Sequence, residues 1–220
     1  MTEPELLTPA EAAVVASVSV RDINRMIDER ILPERWYRFE GGRRVHVNAC
    51  PFVIFYFRAA KALTAEERAS VIHRLSDRID TKTFRSWHGH WREYSRPADW
   101  TIDDGFLTVN LWEFATSADD RHARLEEARV LVTEDPDILA GTPVIKGTRI
   151  PVHDVAASVA AGLSKERIRA AYPPLDDRMI ELAAIYSDAT PARGRPRSVA
   201  AAMPDAAIVS ERKVSRRRRA

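Results

Sequence analysis

The chain has 220 residues, of which 45% are hydrophobic and 30% are charged, a composition that can build one large domain or two small ones. No apolar run approaches the roughly 20 residues of a membrane span, and the acidic N-terminus does not resemble a leader peptide, so we expect a cytoplasmic protein without a membrane anchor. The only cysteine, Cys50, excludes an internal disulfide. Its apolar neighbours favour a buried thiol.

The formal net charge of +2 conceals two oppositely charged parts of the chain. Residues 190–220 carry eight Arg and one Lys against Asp205 and Glu211, a net charge of +7, which leaves −5 for residues 1–189. An acidic body has no general attraction for phosphates. Any contact with nucleic acid by the body must therefore come from a localised face.

Two helices joined by a tight turn are predicted near the N-terminus. Thr8-Pro9-Ala10-Glu11 combines an N-cap hydroxyl, a first-turn proline and a glutamate that can bond back to the cap. Ser19 and Asp22 repeat this capping pattern at the start of the second helix. Helical spacing in that helix predicts one apolar stripe and one polar stripe. The apolar stripe consists of Val20, Ile23, Ile27 and Ile31, and the polar stripe of Arg21, Asn24, Arg25 and Asp28. This pattern indicates a helix-turn-helix.

A β-hairpin is predicted directly after these helices. Pro33 is expected to end the second helix, and residues 36–39 and 44–47 flank Gly41-Gly42 as two strands. The N-terminal segment combines Leu7-Thr8-Pro9-Ala10-Glu11-Ala12-Ala13, Val18-Ser19, Ile23, Ile27 and Leu32. In this pattern residues 6–48 resemble the MerR and excisionase type of winged helix.

The resemblance implies that the second helix enters the major groove of DNA and that the hairpin, as a wing, contacts the backbone or the minor groove. The residues implied in DNA contact are Ser19, Arg21, Asn24 and Arg25 on the helix, and Arg43 and Arg44 on the wing. Asp22 and Asp28 lie on or beside the same stripe, so a solvated helix face remains the alternative interpretation.

The middle of the chain predicts further core elements. Residues 51–58 are strongly apolar and are expected to form core or dimer surface, and Thr64 caps a helix whose Val71, Ile72 and Leu75 would pack against them. Residues 100–114 alternate around Asp103-Asp104-Gly105, which predicts a hairpin. Its expected buried face consists of Ile102, Leu107, Val109 and Leu111. A helix over residues 117–129 follows.

The sequence predicts no metal, no cofactor and no catalytic centre. His88 and His90 stand two residues apart without a nearby cysteine, a spacing that rarely completes a coordination shell. Lys146 precedes Gly147, whereas a phosphate loop requires Gly-Lys at the start of a helix. No nucleophile, base and carboxylate can be grouped by spacing. We therefore do not expect an enzyme.

The most specific motif of the chain covers residues 135–152, where Gly141 and Gly147 bracket a short apolar strand. Glycine can adopt turn conformations that other residues avoid, so this segment is expected to be a compact hairpin. Three short helices follow, the first ending near Gly162 and the second capped by Ser164. The third begins near Asp176, and its apolar stripe consists of Leu175, Met179, Leu182, Ala183 and Tyr186.

A set of glycine, proline and capping elements recurs through residues 131–187: Gly141, Pro143, Ile145, Gly147-Thr148-Arg149-Ile150-Pro151-Val152, Gly162-Leu163-Ser164-Lys165-Glu166 and Tyr172-Pro173-Pro174-Leu175. In these elements the segment resembles a widespread small bacterial domain, whose members with a two-module layout are similar to VapB-like antitoxins. The resemblance implies a homodimeric repressor that neutralises a PIN-domain ribonuclease. Arg149 fits either a DNA contact or an internal ion pair or carbonyl contact, and both interpretations stay open.

The C-terminal segment has little capacity to build a core and much positive charge. By the antitoxin resemblance, Arg193, Arg195 and Arg197 would bind the acidic metal site of the toxin, because guanidinium groups pair bidentately with carboxylates. Nonspecific attraction to phosphates is the alternative.

The predicted fold is mainly α with short β-hairpins, an α+β arrangement of two helix-turn-helix-like modules. A winged module over residues 1–60 and an antitoxin-type module over 131–190 are joined by a mixed region over 61–130 and followed by a flexible basic tail over 191–220. The expected function is that of an antitoxin that represses its own operon. A stand-alone regulator without a toxin is the main alternative, and an RNA-associated adaptor is a weaker one.

Overall fold

The computed structural model describes residues 5–79 and 97–191. This part of the chain is mainly helical and contains one three-stranded and two two-stranded antiparallel sheets, so the predicted mainly α fold with short hairpins is confirmed. None of the helices in these two ranges combines the length and the apolar character needed to cross a membrane.

The first two helices form because both N-terminal caps are complete. Helix α1 (Pro9–Ala16) begins at Thr8, whose hydroxyl accepts from the Glu11 amide while the Glu11 carboxylate accepts from the Thr8 amide. Helix α2 (Val20–Asp28) has the same reciprocal cap between Ser19 and Asp22. Between the helices Ser17 adopts a left-handed conformation with φ of 53°, which allows the tight turn. Both caps were predicted correctly.

A three-stranded antiparallel sheet packs beside these helices in the order β1-β3-β2. Strands β2 (Tyr37–Arg38) and β3 (Arg44–His46) form the predicted hairpin, called the wing below. Strand β1 (Leu6–Leu7) pairs with the inner strand β3 and was not foreseen, because two residues are too few to show an alternating pattern.

The remaining elements of the first core are helical apart from one hairpin. Helix α3 (Cys50–Arg58) and helix α4 (Ala65–Arg78) are followed by strands β4 (Thr101–Asp103) and β5 (Thr108–Asn110) and by the 20-residue helix α5 (Trp112–Leu131). Short 3-10 turns cover Glu34–Trp36, Val47–Ala49, Ala59–Lys61 and Pro97–Trp100. Cys50 is fully buried as predicted, and burial raises the pKa of its thiol to about 12.

The C-terminal elements pack against the far end of α5. Strand β6 (Val132–Thr133) pairs with β7 (Val144–Ile145), and a 3-10 turn covers Leu139–Gly141. Helices α6 (Val152–Ala160), α7 (Lys165–Ala171) and α8 (Asp177–Ala189) follow as predicted. The segment around β7 was predicted to form a compact hairpin by itself. Val144 does bridge Pro151 within that segment, but the main partner of β7 is β6, which precedes it.

Two hydrophobic cores meet along α5 and α8. The first core extends from Leu7 to Leu125 and includes Ala189 at the end of α8, whereas the second is built from residues between Ala128 and Tyr186. Helix α8 packs against α5, α6 and α1. The winged module and the middle region therefore share one core, and the boundary predicted near residue 60 falls within it.

Four details differ from the sequence expectation. Val20 and Leu107 are each 42% exposed, although both were expected to face the core. The buried face of α2 consists of Ile23, Met26 and Ile27. Val20 is the first residue of the helix and lies outside this face. Leu107 lies in the turn before β5, where its carbonyl accepts from the Asp104 amide, so strand alternation has not begun there.

Helix α5 also starts five residues earlier than the expected Ser117, and it takes up residues 112–114 that were assigned to the hairpin. Helix α2 ends at Asp28, followed by the left-handed Arg30, and not at Pro33.

Candidate nucleic-acid interface

Helix α2 is held against the first core by one face and presents the other face to solvent. Ile23, Met26 and Ile27 are at most 3% exposed, which fixes the rotation of the helix about its axis. Arg21 and Arg25 lie on the exposed face, as the helical spacing predicted. Arg21 makes no hydrogen bond or ion pair with any residue in ranges 5–79 and 97–191, so its charge is open to an external partner.

Two other predicted contact residues of α2 already have intramolecular partners. Arg25 donates through Nε to the Glu29 carboxylate at 3.0 Å, in a pair whose side chains are both about half exposed. Such a surface pair contributes little stability and can be exchanged for a phosphate or a base edge. Ser19 Oγ donates to Asp22 at 2.7 Å and accepts from the Asp22 amide, so its main role is to cap the helix.

The structure brings Asn24 together with Arg43 of the wing, a contact that sequence reasoning did not foresee. Arg43 Nη1 donates to Asn24 Oδ1 at 2.9 Å, and its guanidinium pairs with both Asp28 carboxylate oxygens at 2.7 and 3.1 Å. This fork ties the wing to α2. A contact between Arg43 and DNA would therefore compete with the bond to Asp28.

Arg44, the second predicted wing contact, is half-buried and donates to the Arg43 carbonyl at 3.1 Å. The bond orients its guanidinium beside the glycine turn of the wing. Gly41 and Gly42 there have φ of 65° and 111°, values that strongly favour glycine and so explain the Gly-Gly pair.

The wing also carries a hollow that the sequence analysis missed. It has a volume of about 490 Å³ and is lined by Glu34, Arg35, Tyr37, Arg38 and Phe39. Phe39 is 62% exposed, although its ring contacts that of Tyr37 edge to face. The adjacent Tyr-Arg-Phe beside a predicted Gly-Gly turn is the sequence signal that could have drawn attention to this surface.

A charged cluster far apart in sequence fixes α1 relative to α5. Arg129 Nη1 donates to Glu5 at 2.6 Å and Nη2 to Glu11 at 2.8 Å, and Arg129 also pairs with Glu126. His122 Nε2 lies 2.9 Å from the second Glu5 oxygen. The cluster thus clamps the capping glutamate of α1, and with it the helix-turn-helix, onto the long helix.

The electrostatics of this cluster favour the charged carboxylates. The hydrogen bond with His122 and the contacts with Arg129 lower the pKa of Glu5 to about 2 in spite of its burial. Glu5, His122 and Glu126 also offer three potential metal-ligand atoms within 4.8 Å of one another. The guanidinium of Arg129 bonds two of these carboxylates, and its positive charge would repel a metal ion there.

Beside the second core, the motif at residues 147–152 contains residues that stabilise a turn and one exposed arginine. Gly147 has a φ of 78°, and Thr148 Oγ1 donates to the Ile145 carbonyl and accepts from the Ile150 amide. Arg149 is exposed and makes no ion pair or hydrogen bond within the described ranges. Neither internal role considered for Arg149 is therefore observed among the described residues.

A serine and a histidine meet between α6 and α8. His153 Nδ1 lies 2.9 Å from Ser187 Oγ, but no carboxylate in the described part of the chain bonds the other ring nitrogen. A serine nucleophile normally needs a base oriented by a third group, so this contact fits a structural link between the two helices.

Several sequence predictions fall on residues outside the described ranges. Arg193, Arg195 and Arg197 follow the last described residue, Pro191, and His88 and His90 lie in the segment between residues 79 and 97. The described chain places the start of the basic tail at the end of α8, a helix that packs against α1.

The fold is that of a two-core α+β protein, in which α1 and α2 are joined by a tight turn and α2 presents arginines beside the wing. Residues 132–187 match the family model described as "Protein of unknown function (DUF433)". The chain is 47% identical over 215 residues to the Sinorhizobium fredii "Uncharacterized protein y4eO", covering 98% of this chain and 95% of that protein. The chain belongs to the same family as y4eO. No solved structure matches it.

Proposed function

We propose that this protein is a DNA-binding antitoxin, without catalytic activity of its own, that represses its operon in the cytoplasm and neutralises a PIN-domain ribonuclease. The observation that carries the DNA-binding part is the exposed face of α2. On it Arg21 has no partner among residues 5–79 and 97–191, and Arg25 makes an exposed, exchangeable ion pair with Glu29. Rigid burial of the opposite face gives that surface the fixed geometry that base recognition requires.

The antitoxin part of the proposal is supported by the sequence of the C-terminal half. The C-terminal motif resembles that of VapB-like antitoxins, and the tail of net charge +7 complements the carboxylates that hold a divalent metal in a nuclease. An arginine that enters such a site would pair with the carboxylates and compete with the metal.

A homodimer is part of the proposal, because helix-turn-helix repressors commonly read two half-sites about one helical turn apart. Exposed apolar side chains in the C-terminal half could be buried in a contact between two subunits. Val130 is 70% exposed, and Leu139, Val159 and Leu163 are between 37% and 42% exposed.

A stand-alone regulator is the second candidate. It is favoured by the location of the proposed reading face, which lies on α2, a helix whose other face packs into the first core. Both candidates bind DNA, so only the response of a toxin separates them.

The deciding experiment is an RNA-cleavage assay with the protein encoded by the neighbouring gene. We expect the full chain to suppress cleavage and a protein that ends at Thr190 to lose suppression while it keeps its folded body. Replacement of Arg193, Arg195 and Arg197 together by Ala should release the nuclease, since loss of such interfacial charges costs about 2–5 kcal/mol. Replacing three of the four arginines at 216–219 is the matched control. Full inhibition by the shortened protein would contradict the proposed role of the tail.

A further inference from the structure

Two arginines, Arg35 and Arg38, line the hollow beside the wing, and they differ in their partners. Arg35 is neutralised, because it pairs with Asp77 at 2.9 Å and donates to the Ser76 carbonyl. Arg38 is different. It is exposed and donates through Nη1 to the carbonyls of Tyr37 at 2.9 Å and Glu34 at 3.3 Å, and it has no ion-pair partner within residues 5–79 and 97–191.

Two carbonyl bonds from one nitrogen orient the Arg38 guanidinium without neutralising it. Its Nε and Nη2 make no hydrogen bond in the described structure, so they remain able to donate to an oxyanion. A guanidinium with two parallel donors matches the geometry of a phosphate. The carbonyl bonds reduce the side-chain entropy that such a contact would otherwise cost.

The neighbouring residue supplies an aromatic surface. Phe39 is 62% exposed, and its ring is fixed on one side by the edge-to-face contact with Tyr37, at 5.6 Å between centroids and 80° between planes. A nucleobase can stack on a large exposed ring that is held in position. Because every base has an aromatic face, such stacking tolerates any base.

We propose that this hollow binds one unpaired nucleotide of a nucleic-acid strand, with the base stacked on Phe39 and the phosphate held by Arg38. A paired base inside a duplex has both faces covered by its neighbours, so its ring surface is not available to Phe39. The volume of about 490 Å³ lies within the usual range of small-ligand sites. The site is separate from α2 and does not depend on the operator or the toxin of the proposed function.

The test is fluorescence anisotropy with the full chain and a fluorescein-labelled oligothymidylate. Phe39→Leu should weaken binding roughly fivefold to a hundredfold, because it removes one stacking surface. Arg38→Gln should reduce the slope of log affinity against log salt by about 0.7, the value for one phosphate contact on a single strand.

Matched controls separate the hollow from general effects of charge and apolar surface. Phe106→Leu changes a ring that is 91% exposed at the tip of the other hairpin, and Arg167→Gln changes an exposed arginine of α7 that has no ion-pair partner among the described residues. Both controls should bind as the unchanged protein does. Because the basic tail is intact in all variants, its background contribution is the same throughout, and thermal melting by circular dichroism checks that each variant is folded.

Two competition arms identify the source of the nucleotide. Weak competition by thymidine monophosphate supports a strand as the natural ligand, and strong competition that Phe39→Leu abolishes supports the same hollow with a free nucleotide. Equal binding by Phe39→Leu and Phe106→Leu would overturn the proposal. A loss confined to duplex DNA would also overturn it, since the stacked base would then not be unpaired.

Discussion

The two cores of the molecule bury different kinds of side chain and leave different surfaces free. The first contains the three largest side chains that are fully buried in the described part of the chain, Trp36, Trp100 and Phe52. The second is mainly aliphatic and small, and the ion pairs around it, such as Lys165–Glu181 and Arg169–Asp177, are exposed. A large aromatic core can hold α2 and the wing rigidly, whereas the smaller core depends on α5 and α8, which it shares with its neighbour.

The difference between the cores predicts the largest effect on stability. Trp36 is fully buried, donates to Ser76 at 2.6 Å and contacts His46 and Phe52 edge to face. We expect Trp36→Ala to lower the free energy of unfolding by about 3–5 kcal/mol, and Ile168→Ala in the second core to lower it by about 2–4 kcal/mol. Urea unfolding measures both. Two separate transitions in the Ile168 variant would show that the second core unfolds alone, which the shared helices argue against.

The second prediction concerns the exposed face of the first core. Arg21→Ala combined with Arg25→Ala should weaken operator binding by about 2–4 kcal/mol, since a good base contact is worth about 1–3 kcal/mol, with no change in the melting temperature. Gel-shift titration on the promoter of its own gene measures this. The control is Arg149→Ala together with Arg167→Ala on the second core. If the control loses more affinity than the test variant, the reading surface lies on the C-terminal core.

The third prediction tests the clamp between α1 and α5. Arg129→Met should destabilise the fold by about 1–2 kcal/mol, a value reduced from that of a buried pair because the Arg129 side chain is 32% exposed. It should also change the acid response. The pKa of Glu5 is lowered to about 2 from 4.5, so its stabilising contribution is complete above pH 4.5 and is lost as the pH falls toward 2.

The Arg129→Met variant should therefore lose less stability than the unchanged protein over this pH interval, because part of the depression of the Glu5 pKa has been removed. Thermal melting at a series of pH values measures the difference. Parallel pH profiles would contradict the assignment of the acid sensitivity to this clamp. The control is Arg178→Met. Arg178 of α8 pairs at 2.5 Å with Glu127, which lies on the exposed side of α5.

The smallest expected effect concerns the link between α2 and the wing. Asp28→Asn removes the carboxylate that holds Arg43 and should raise affinity for operator DNA about twofold to fivefold, the range of a surface ion pair. Glu66→Gln, on the exposed side of α4, changes the net charge equally and should have a smaller effect. Weaker binding by Asp28→Asn would show that Arg43 contributes by orienting the wing and not by contacting DNA.

Much of the local structure follows directly from the sequence. The reciprocal caps of α1 and α2, the glycine turn of the wing and the Ser164 and Asp176 caps connect residues at most three apart, so neighbouring side chains are enough to specify them. Periodicity also identified the buried Ile23 and Ile27 of α2. It was wrong for Val20 and Leu107, because position within an element decides whether the core reaches a residue.

The amino-acid sequence by itself determined the starts of the capped helices, the wing and the β4–β5 hairpin, the exposed stripe of α2 and the concentration of positive charge in the tail. Only the tertiary structure decided that one core joins the winged module to the middle region, that Arg129 bonds glutamates 118 and 124 residues away, and that Asp28 holds Arg43. The physical reason is range. Capping and periodicity act within a few residues, whereas a shared core and an ion pair between distant elements exist only once packing has brought those elements together.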